Sequence, residues 1–265
     1  MSEMTQMPTY ASKIIKAGAL IPDTKILLSN WNEEQSVAEN LARFRKENTF
    51  GKTSRSRVED ILAIFRQRYL SDETITQALL TLMEKEIDSA SLNRILYFHA
   101  ARSDELLHDV VTDFLYPIAQ AGSTGTLTPN DVRAWIERQI KQGNVVRQWS
   151  ETTIIRCAQE LLASLRDFGI LEGDVKKKIA SQYFPIEAFA YIAFSLKQYQ
   201  PSGIRLVHDP EWRLFLIDAE SVERLFIEAQ QYKLLEYYAA GSIVKIDFPA
   251  DNLVDYVQFI SQRTH

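Results

Sequence analysis

The chain has 265 residues, of which 46% are apolar and 25% are charged, and this composition excludes wholesale disorder and any collagen-like or low-complexity architecture. The net charge of −5 and the sequence pI of about 5.5 argue against a protein that coats nucleic acid indiscriminately. A single cysteine excludes an internal disulfide framework. No apolar run approaches the roughly 20 residues of a membrane helix, and the first residues lack a basic, apolar leader. The sequence therefore predicts a cytoplasmic protein without membrane contact.

Helical patterns follow one another through the first half of the chain. Only nine glycines and eight prolines occur in the whole sequence, and residues that favour helices are abundant, so long helices are expected rather than many short strands. Asp23 and Ser71 are predicted to cap two of these helices. Helices are predicted over residues 10–17, 23–28, 33–46, 54–69, 71–86, 89–101 and 103–119.

A segment rich in glycine, serine and threonine, residues 120–128, is predicted to separate two helical subdomains, 1–120 and 121–265. Immediately after it, Thr128 and Pro129 form a specific start signal for a helix over 129–142. Ser150 is predicted to cap the next helix, 150–168. Together these two helices have the outline of a helix-turn-helix.

The rest of the chain mixes helices with short extended segments. Helices are predicted over 185–198, 220–231 and 251–262, whereas 212–217 fits a helix or a strand. Residues 170–179 form a small hairpin or an irregular loop, and a second hairpin is predicted from 234–238 and 243–247, joined through 239–242. The predicted fold is a compact, predominantly all-α multi-helix globule with one or two short β-hairpins.

Charge is segregated along the sequence. Residues 43–70 carry eight basic and three acidic side chains, residues 71–125 carry three and nine, and residues 126–182 carry nine and seven. Any basic surface must therefore come from two separate parts of the chain. Each basic segment taken alone is equally well explained as a solvated helix face.

Patterns that indicate catalysis are mostly missing. The four histidines, His99, His108, His208 and His265, are spaced too widely for a zinc motif. The sequence has no GxGxxG, GxxxxGK[ST] or GxSxG motif. Cys157 lies inside an amphipathic helix and is interpreted as a packing residue. We therefore expect a non-enzymatic protein with no metal and no cofactor.

The helices over 129–168 and the basic turn behind them fit a reader of a DNA groove. The second helix begins with small polar and cationic groups that can meet base edges or phosphates, and its positive N-terminus favours phosphate. The helix-turn-helix could be winged, with the lysine run lying against phosphates. The candidate DNA-binding residues of this region are Arg133, Lys141, Arg147, Thr152, Thr153, Arg156, Lys176, Lys177 and Lys178.

A second candidate contact lies near residue 54, where hydroxyl and cationic side chains gather at a predicted helix start. Lys52, Arg55 and Arg57 are its DNA-binding residues. Such groups beside free backbone N–H groups make a reasonable phosphate clamp. Many helix pairs and helix starts bind nothing, however, so the patterns by themselves leave the solvated-surface interpretation open.

Short segments in a particular order along nearly the whole chain point to a known family. They are Tyr10 with Gly18-Ala19-Leu20, Asn48-Thr49-Phe50 with Ser54-Arg55, Thr128-Pro129 with Trp135-Ile136, residues 165–171, and Gly241-Ser242-Ile243. In these features the chain resembles the BrxA family, a core component of the BREX (bacteriophage exclusion) defence systems of bacteria. No single segment is diagnostic, and the likeness rests on order and spacing.

The resemblance implies a largely α-helical, non-catalytic protein that binds double-stranded DNA through helix-turn-helix elements beside positive patches. It also implies other BREX proteins as partners, which methylate host DNA and block phage replication. The leading hypothesis is thus a DNA-binding accessory protein, expected to be a monomer with modest, salt-sensitive affinity. The alternative is a protein–protein adaptor whose working surface is the acidic, aromatic-rich C-terminal half. An unrecognised enzyme is the third interpretation.

Overall fold

Short and medium-length helices form most of the chain in the computed structural model, which describes residues 10–122, 125–145, 147–181, 183–241 and 243–263. The helical elements of the first half are α1 (Ile14–Ala17), α2 (Ile21–Ser29), α3 (Val37–Glu47), α4 (Arg55–Tyr69), α5 (Glu73–Glu84), α6 (Ser89–Arg102), α7 (Glu105–Asp109), a π-helical turn (Val110–Leu115) and α8 (Tyr116–Gln120).

The second half adds two small antiparallel hairpins to a further set of helices. Its elements are α9 (Pro129–Lys141), α10 (Glu151–Asp167), β1 (Leu171–Glu172), β2 (Lys178–Ile179), α11 (Ile186–Lys197), α12 (Gly203–Val207), a 3-10 helix (Pro210–Phe215), α13 (Ala219–Gln231), β3 (Glu236–Ala240), β4 (Ile243–Asp247) and α14 (Leu253–Ser261). The prediction of a predominantly all-α fold is confirmed.

Acidic side chains begin several helices of the first half. Asp72, Asp88 and Asp104 occupy the N-cap positions of α5, α6 and α7, and each carboxylate accepts hydrogen bonds from backbone N–H groups. Part of the acidic excess of residues 71–125 therefore sits at the positive ends of helices, where it stabilises them. The predicted cap Ser71 is wrong by one residue.

Tertiary contacts change the role of another predicted cap. Asp23 lies in the first turn of α2, whose N-cap is Leu20. The Asp23 carboxylate instead pairs with Lys52, with 2.8 Å between Oδ1 and Nζ. Local sequence rules assign the Asp23 carboxylate to capping a helix, but in the structure it forms an ion pair with Lys52, which is distant in sequence.

The strands also differ from the predicted hairpins at their ends. Ala239 and Ala240, predicted as part of a turn, belong to β3 and pair with Val244 and Ile243. Gly241 follows with a φ of +60°, a left-handed conformation that glycine adopts without steric cost. The ambiguous region near residue 212 is a 3-10 helix.

Buried hydrophobic residues from both halves of the chain belong to one cluster. Tyr97 in α6 donates its hydroxyl hydrogen bond to the carbonyl of Leu214 at 2.9 Å, and His99 lies 2.8 Å from the Tyr191 hydroxyl. Burial, assisted by Arg102, lowers the pKa of His99 to about 3, so this histidine is neutral at physiological pH.

The division into two subdomains at residues 120–128 remains a prediction. Residues 123 and 124 of that segment lie outside the described residues, as do Ser242 and His265. Among the described helices, none is both long and apolar enough to cross a membrane.

Candidate nucleic-acid interface

The predicted helix pair forms at the predicted place. Asp131 accepts hydrogen bonds from the N–H and hydroxyl of Thr128 at 2.8 and 2.7 Å, which closes the start of α9. Ser150 accepts the N–H of Thr153 at 3.2 Å and so caps α10. The two helices pack against each other, and apolar residues on their facing sides are buried. Local capping and an apolar stripe are sufficient to explain both helices.

A small hairpin stands directly behind α10. β1 and β2 are antiparallel and pair Leu171 with Ile179 and Glu172 with Lys178. Leu127, just before α9, forms an isolated antiparallel bridge to Lys177, with its N–H 2.7 Å from the Lys177 carbonyl. The chain order is therefore extended segment, helix, helix and hairpin, with the first segment held against the last.

The exposed side of α10 carries polar groups near its N-terminus. Thr152, Arg156 and Gln159 are exposed, whereas Ile154 and Cys157 are buried. Burial raises the pKa of the Cys157 thiol to about 12, so the thiol is protonated and behaves as the packing group that the sequence predicts. The exposed groups offer one cation and several hydrogen-bonding atoms along a single helix face.

Some of the predicted contact residues are held by neighbours. The Arg133 guanidinium pairs with Glu137 at 2.8 Å and with Glu151 at 3.0 Å, and its hydrogen bond to Glu137 is the main reason that its pKa is raised. The hydroxyl of Thr153 lies 2.9 Å from that of Ser150.

The lysines of the β1–β2 hairpin also differ in whether a neighbouring residue holds the side chain. Lys178 pairs with Glu172 at 2.9 Å, and Lys177 donates to the Asp174 carbonyl at 2.8 Å. No hydrogen bond or ion pair joins the exposed side chains of Lys141, Arg147, Arg156 and Lys176 to another residue of the described ranges. The cationic groups free to meet an anion are therefore fewer than the basic residues of the sequence suggest.

Helix α1 joins the two basic segments in space. It contacts both α4 and α10, and the Arg57 guanidinium of α4 donates to the backbone carbonyl of Lys16 in α1. A cavity of about 430 Å³ beside α1 is lined by Lys13, Lys16, Arg147 and Trp149, among others. Arg57 and Arg147 thus approach the same short helix from two distant parts of the chain.

Lys13 and Lys16 were not among the sequence candidates, although residues 10–20 contain two lysines and no acid. In the structure Lys16 pairs with Asp60 at 3.1 Å, and Lys13 donates to Gln67 at 2.8 Å. Both side chains nevertheless remain exposed at the edge of the cavity. A count of charges along the sequence could have identified residues 10–20 as a basic segment, but it could not have shown that this segment lies between α4 and α10.

Lys52 and Arg55 lie apart from this cavity. They line a second one, of about 550 Å³, at the start of α4. The predicted contact at residues 52–57 is therefore split, since Arg57 turns towards α1 while Lys52 and Arg55 face the other cavity.

Within the described ranges, no group of three or more histidine, cysteine, aspartate or glutamate side chains could hold a metal ion.

Comparison with curated proteins finds no match for this chain. The family model for BrxA, by contrast, matches residues 8–195, which is more than half of the sequence. The matched part contains α1, both basic segments, the α9–α10 pair and the β1–β2 hairpin, and it ends within α11. The match also agrees with the resemblance seen in the sequence, and the chain therefore belongs to the BrxA family of BREX phage-defence components.

Proposed function

We propose that this BREX component is a non-enzymatic protein that binds double-stranded DNA through α9, α10 and the β1–β2 hairpin, arranged as a winged helix-turn-helix. In such units the second helix enters the major groove, and the residues of its N-terminal turns contact base edges. Here α10 is that helix, and the hairpin behind it is the wing. The connection of residues 142–150 is longer than the usual three- or four-residue turn.

The observation that carries the proposal is the set of free polar and cationic groups around the N-terminus of α10. Arg156 lies on its exposed face, and Arg147 lines the cavity just before it. Neither side chain is held by a described acid, so neutralising a phosphate costs no existing ion pair. Lys13 and Lys16 extend the positive surface on the α1 side.

The ion pairs that other candidate cations form with acids lower the expected affinity for DNA. Because Arg133 and Lys178 are already held by glutamates, they contribute less to phosphate binding than the sequence suggests. With a net charge of −5 for the whole chain, we expect modest affinity, strong salt dependence and little sequence preference. Sequence choice would then rest with a partner of the defence system.

Duplex binding across a salt series tests the proposal. Arg147→Glu combined with Arg156→Glu should weaken duplex binding about tenfold or more. The slope of log K against log[salt] should also become shallower by about 1.8, since each lost phosphate contact contributes about 0.9 to the slope. The matched control is Arg224→Glu with Lys85→Glu, two exposed side chains that each pair with one acid. Failure of the wild-type protein to retard any duplex at low salt would refute the proposal.

The second candidate function is a protein–protein adaptor within the same defence system. Exposed aromatic and aliphatic side chains of the C-terminal part favour it, with Tyr199 at 68% exposure, Tyr238 at 64% and Ile243 at 66%. Membership of the family suggests other BREX proteins as partners. An adaptor that does not touch DNA would show no retardation at low salt, and its binding to another BREX protein would be lost when Tyr238 and Ile243 are replaced by serine.

A further inference from the structure

A second, strongly basic cavity lies at the junction of α3 and α4. It has a volume of about 550 Å³ and is lined by Arg45, Lys46, Lys52 and Arg55 together with Asn48 and Thr53. None of its described lining residues is acidic, whereas the larger cavity of about 920 Å³ beside β3 and β4 includes Glu236 and Asp247. Cavities of this size accommodate small ligands, and the charge of this one selects an anion.

Two of the four cations are fixed in place by acids outside the cavity. The Arg45 guanidinium makes a bidentate pair with Glu59, at 2.6 and 3.1 Å. Lys52 pairs with Asp23, whose side chain is only 11% exposed. These contacts hold the two side chains in the wall of the cavity.

The other two cations are not fixed by direct contact with an acid of the described residues. Lys46 and Arg55 are exposed, and neither has a hydrogen bond or ion pair with another residue in the described ranges. The charge of Arg55 also lowers the pKa of Glu59, so it is partly balanced at a distance, but the donors of Lys46 and Arg55 are unused within the described ranges. Unused cationic donors of this kind suit a phosphate group, which accepts charge-assisted hydrogen bonds.

The backbone adds donors at the same place. Ser54 is the N-cap of α4, and its side chain makes no capping hydrogen bond to the first N–H groups of this 15-residue helix, which are the groups that an anion at a helix start would meet. The loop before it is held by reciprocal hydrogen bonds, at 2.6 Å from the Asn48 amide to the Lys52 carbonyl and at 3.0 Å from the Lys52 N–H to the Asn48 side chain. The wall is thus ordered before any ligand arrives.

We propose that this cavity, which we call the α4 pocket, binds the phosphate group of a nucleotide or of a DNA 5′ end. Lys46 and Arg55 would supply the cationic donors, and the amides at the start of α4 would supply further directional hydrogen bonds. The α4 pocket is separate from the surface around α10, so its ligand binding does not depend on duplex binding by the helix-turn-helix.

Calorimetric titration of the full chain with inorganic triphosphate tests the proposal. Lys46→Gln with Arg55→Gln should weaken triphosphate binding about tenfold or more, because charge-assisted contacts are lost. The control Lys85→Gln with Arg224→Gln removes the same charge elsewhere and should leave the affinity unchanged. Absence of saturable triphosphate binding to the wild-type protein, or an equal loss in both double variants, would overturn the proposal.

Competition identifies the source of the phosphate. Displacement of triphosphate by ATP supports a nucleotide ligand, and better displacement by a 5′-phosphorylated duplex than by an unphosphorylated one supports a DNA end. If neither competitor displaces triphosphate, the α4 pocket is not a site for these ligands and the proposal fails. The variant carrying Arg147→Glu and Arg156→Glu should retain triphosphate binding, so failure of the duplex-binding proposal would be distinguishable from failure of this one.

Discussion

His108 is predicted to make the stability of the protein depend on pH in the neutral to alkaline range. Its Nδ1 lies 2.8 Å from Asp109 and its Nε2 lies 3.3 Å from Glu211, at the junction of α7 and the π-helical turn. Asp109 also accepts the Tyr10 hydroxyl at 2.8 Å, and Arg102 lies 3.6 Å from Glu211. A charged imidazolium therefore sits between two carboxylates in the folded state.

The size of the effect follows from the pKa of His108. Burial acts to lower it, but hydrogen bonds and charge from Asp109 and Glu211 outweigh burial and raise the pKa from 6.5 to about 9. One pKa unit corresponds to about 1.4 kcal/mol, so charged His108 contributes up to about 3 kcal/mol. This stabilisation is complete below pH 6.5, where the imidazole is protonated in both states, and it is lost as the pH rises to 9 and above.

Urea unfolding at pH 6, 7.5 and 9.5 measures this contribution. The difference in unfolding free energy between wild type and His108→Gln should shrink by about 3 kcal/mol across that range. His208→Gln, at an exposed histidine, is the matched control and should follow the wild-type curve. Parallel wild-type and His108→Gln curves from pH 6 to 9.5 would refute the reasoning, because the carboxylates would then not favour the charged imidazole.

Two further substitutions test the proposed wing, the β1–β2 hairpin, and the core. Gly173→Ala would place a Cβ 2.3 Å from the Lys176 carbonyl at a φ of +92°, a local strain of about 1–3 kcal/mol. It should weaken duplex retardation and lower the melting temperature by several degrees, whereas Gly122→Ala, with a positive φ but open space around it, should leave duplex retardation unchanged. Tyr97→Phe leaves the buried Leu214 carbonyl without its donor and should lower the unfolding free energy by about 1–3 kcal/mol. Urea titration against exposed Tyr232→Phe checks this, and equal stability of the two variants would contradict the assigned hydrogen bond.

The distribution of charge along the sequence did not show which of the candidate cations are held by acids. Arg147 and Arg156 have no hydrogen bond or ion pair with another residue of the described part of the chain, as the proposed interface requires. Arg133 and Lys178 are neutralised by Glu151 and Glu172, in one case across two helices and in the other across two strands. A count of basic residues gives no information about such pairing, because the acid that neutralises a cation is chosen by the packing of elements.

The sequence by itself determined the local elements. Thr128 with Pro129 and Ser150 located α9 and α10, since capping and apolar spacing act within a few residues. Asp23 was assigned wrongly by the same rules, because only the tertiary structure brings Lys52 to its carboxylate. Likewise, the meeting of Arg57 and Arg147 at α1 was decided by helix packing, which joins residues far apart in sequence and is invisible to any short-range pattern.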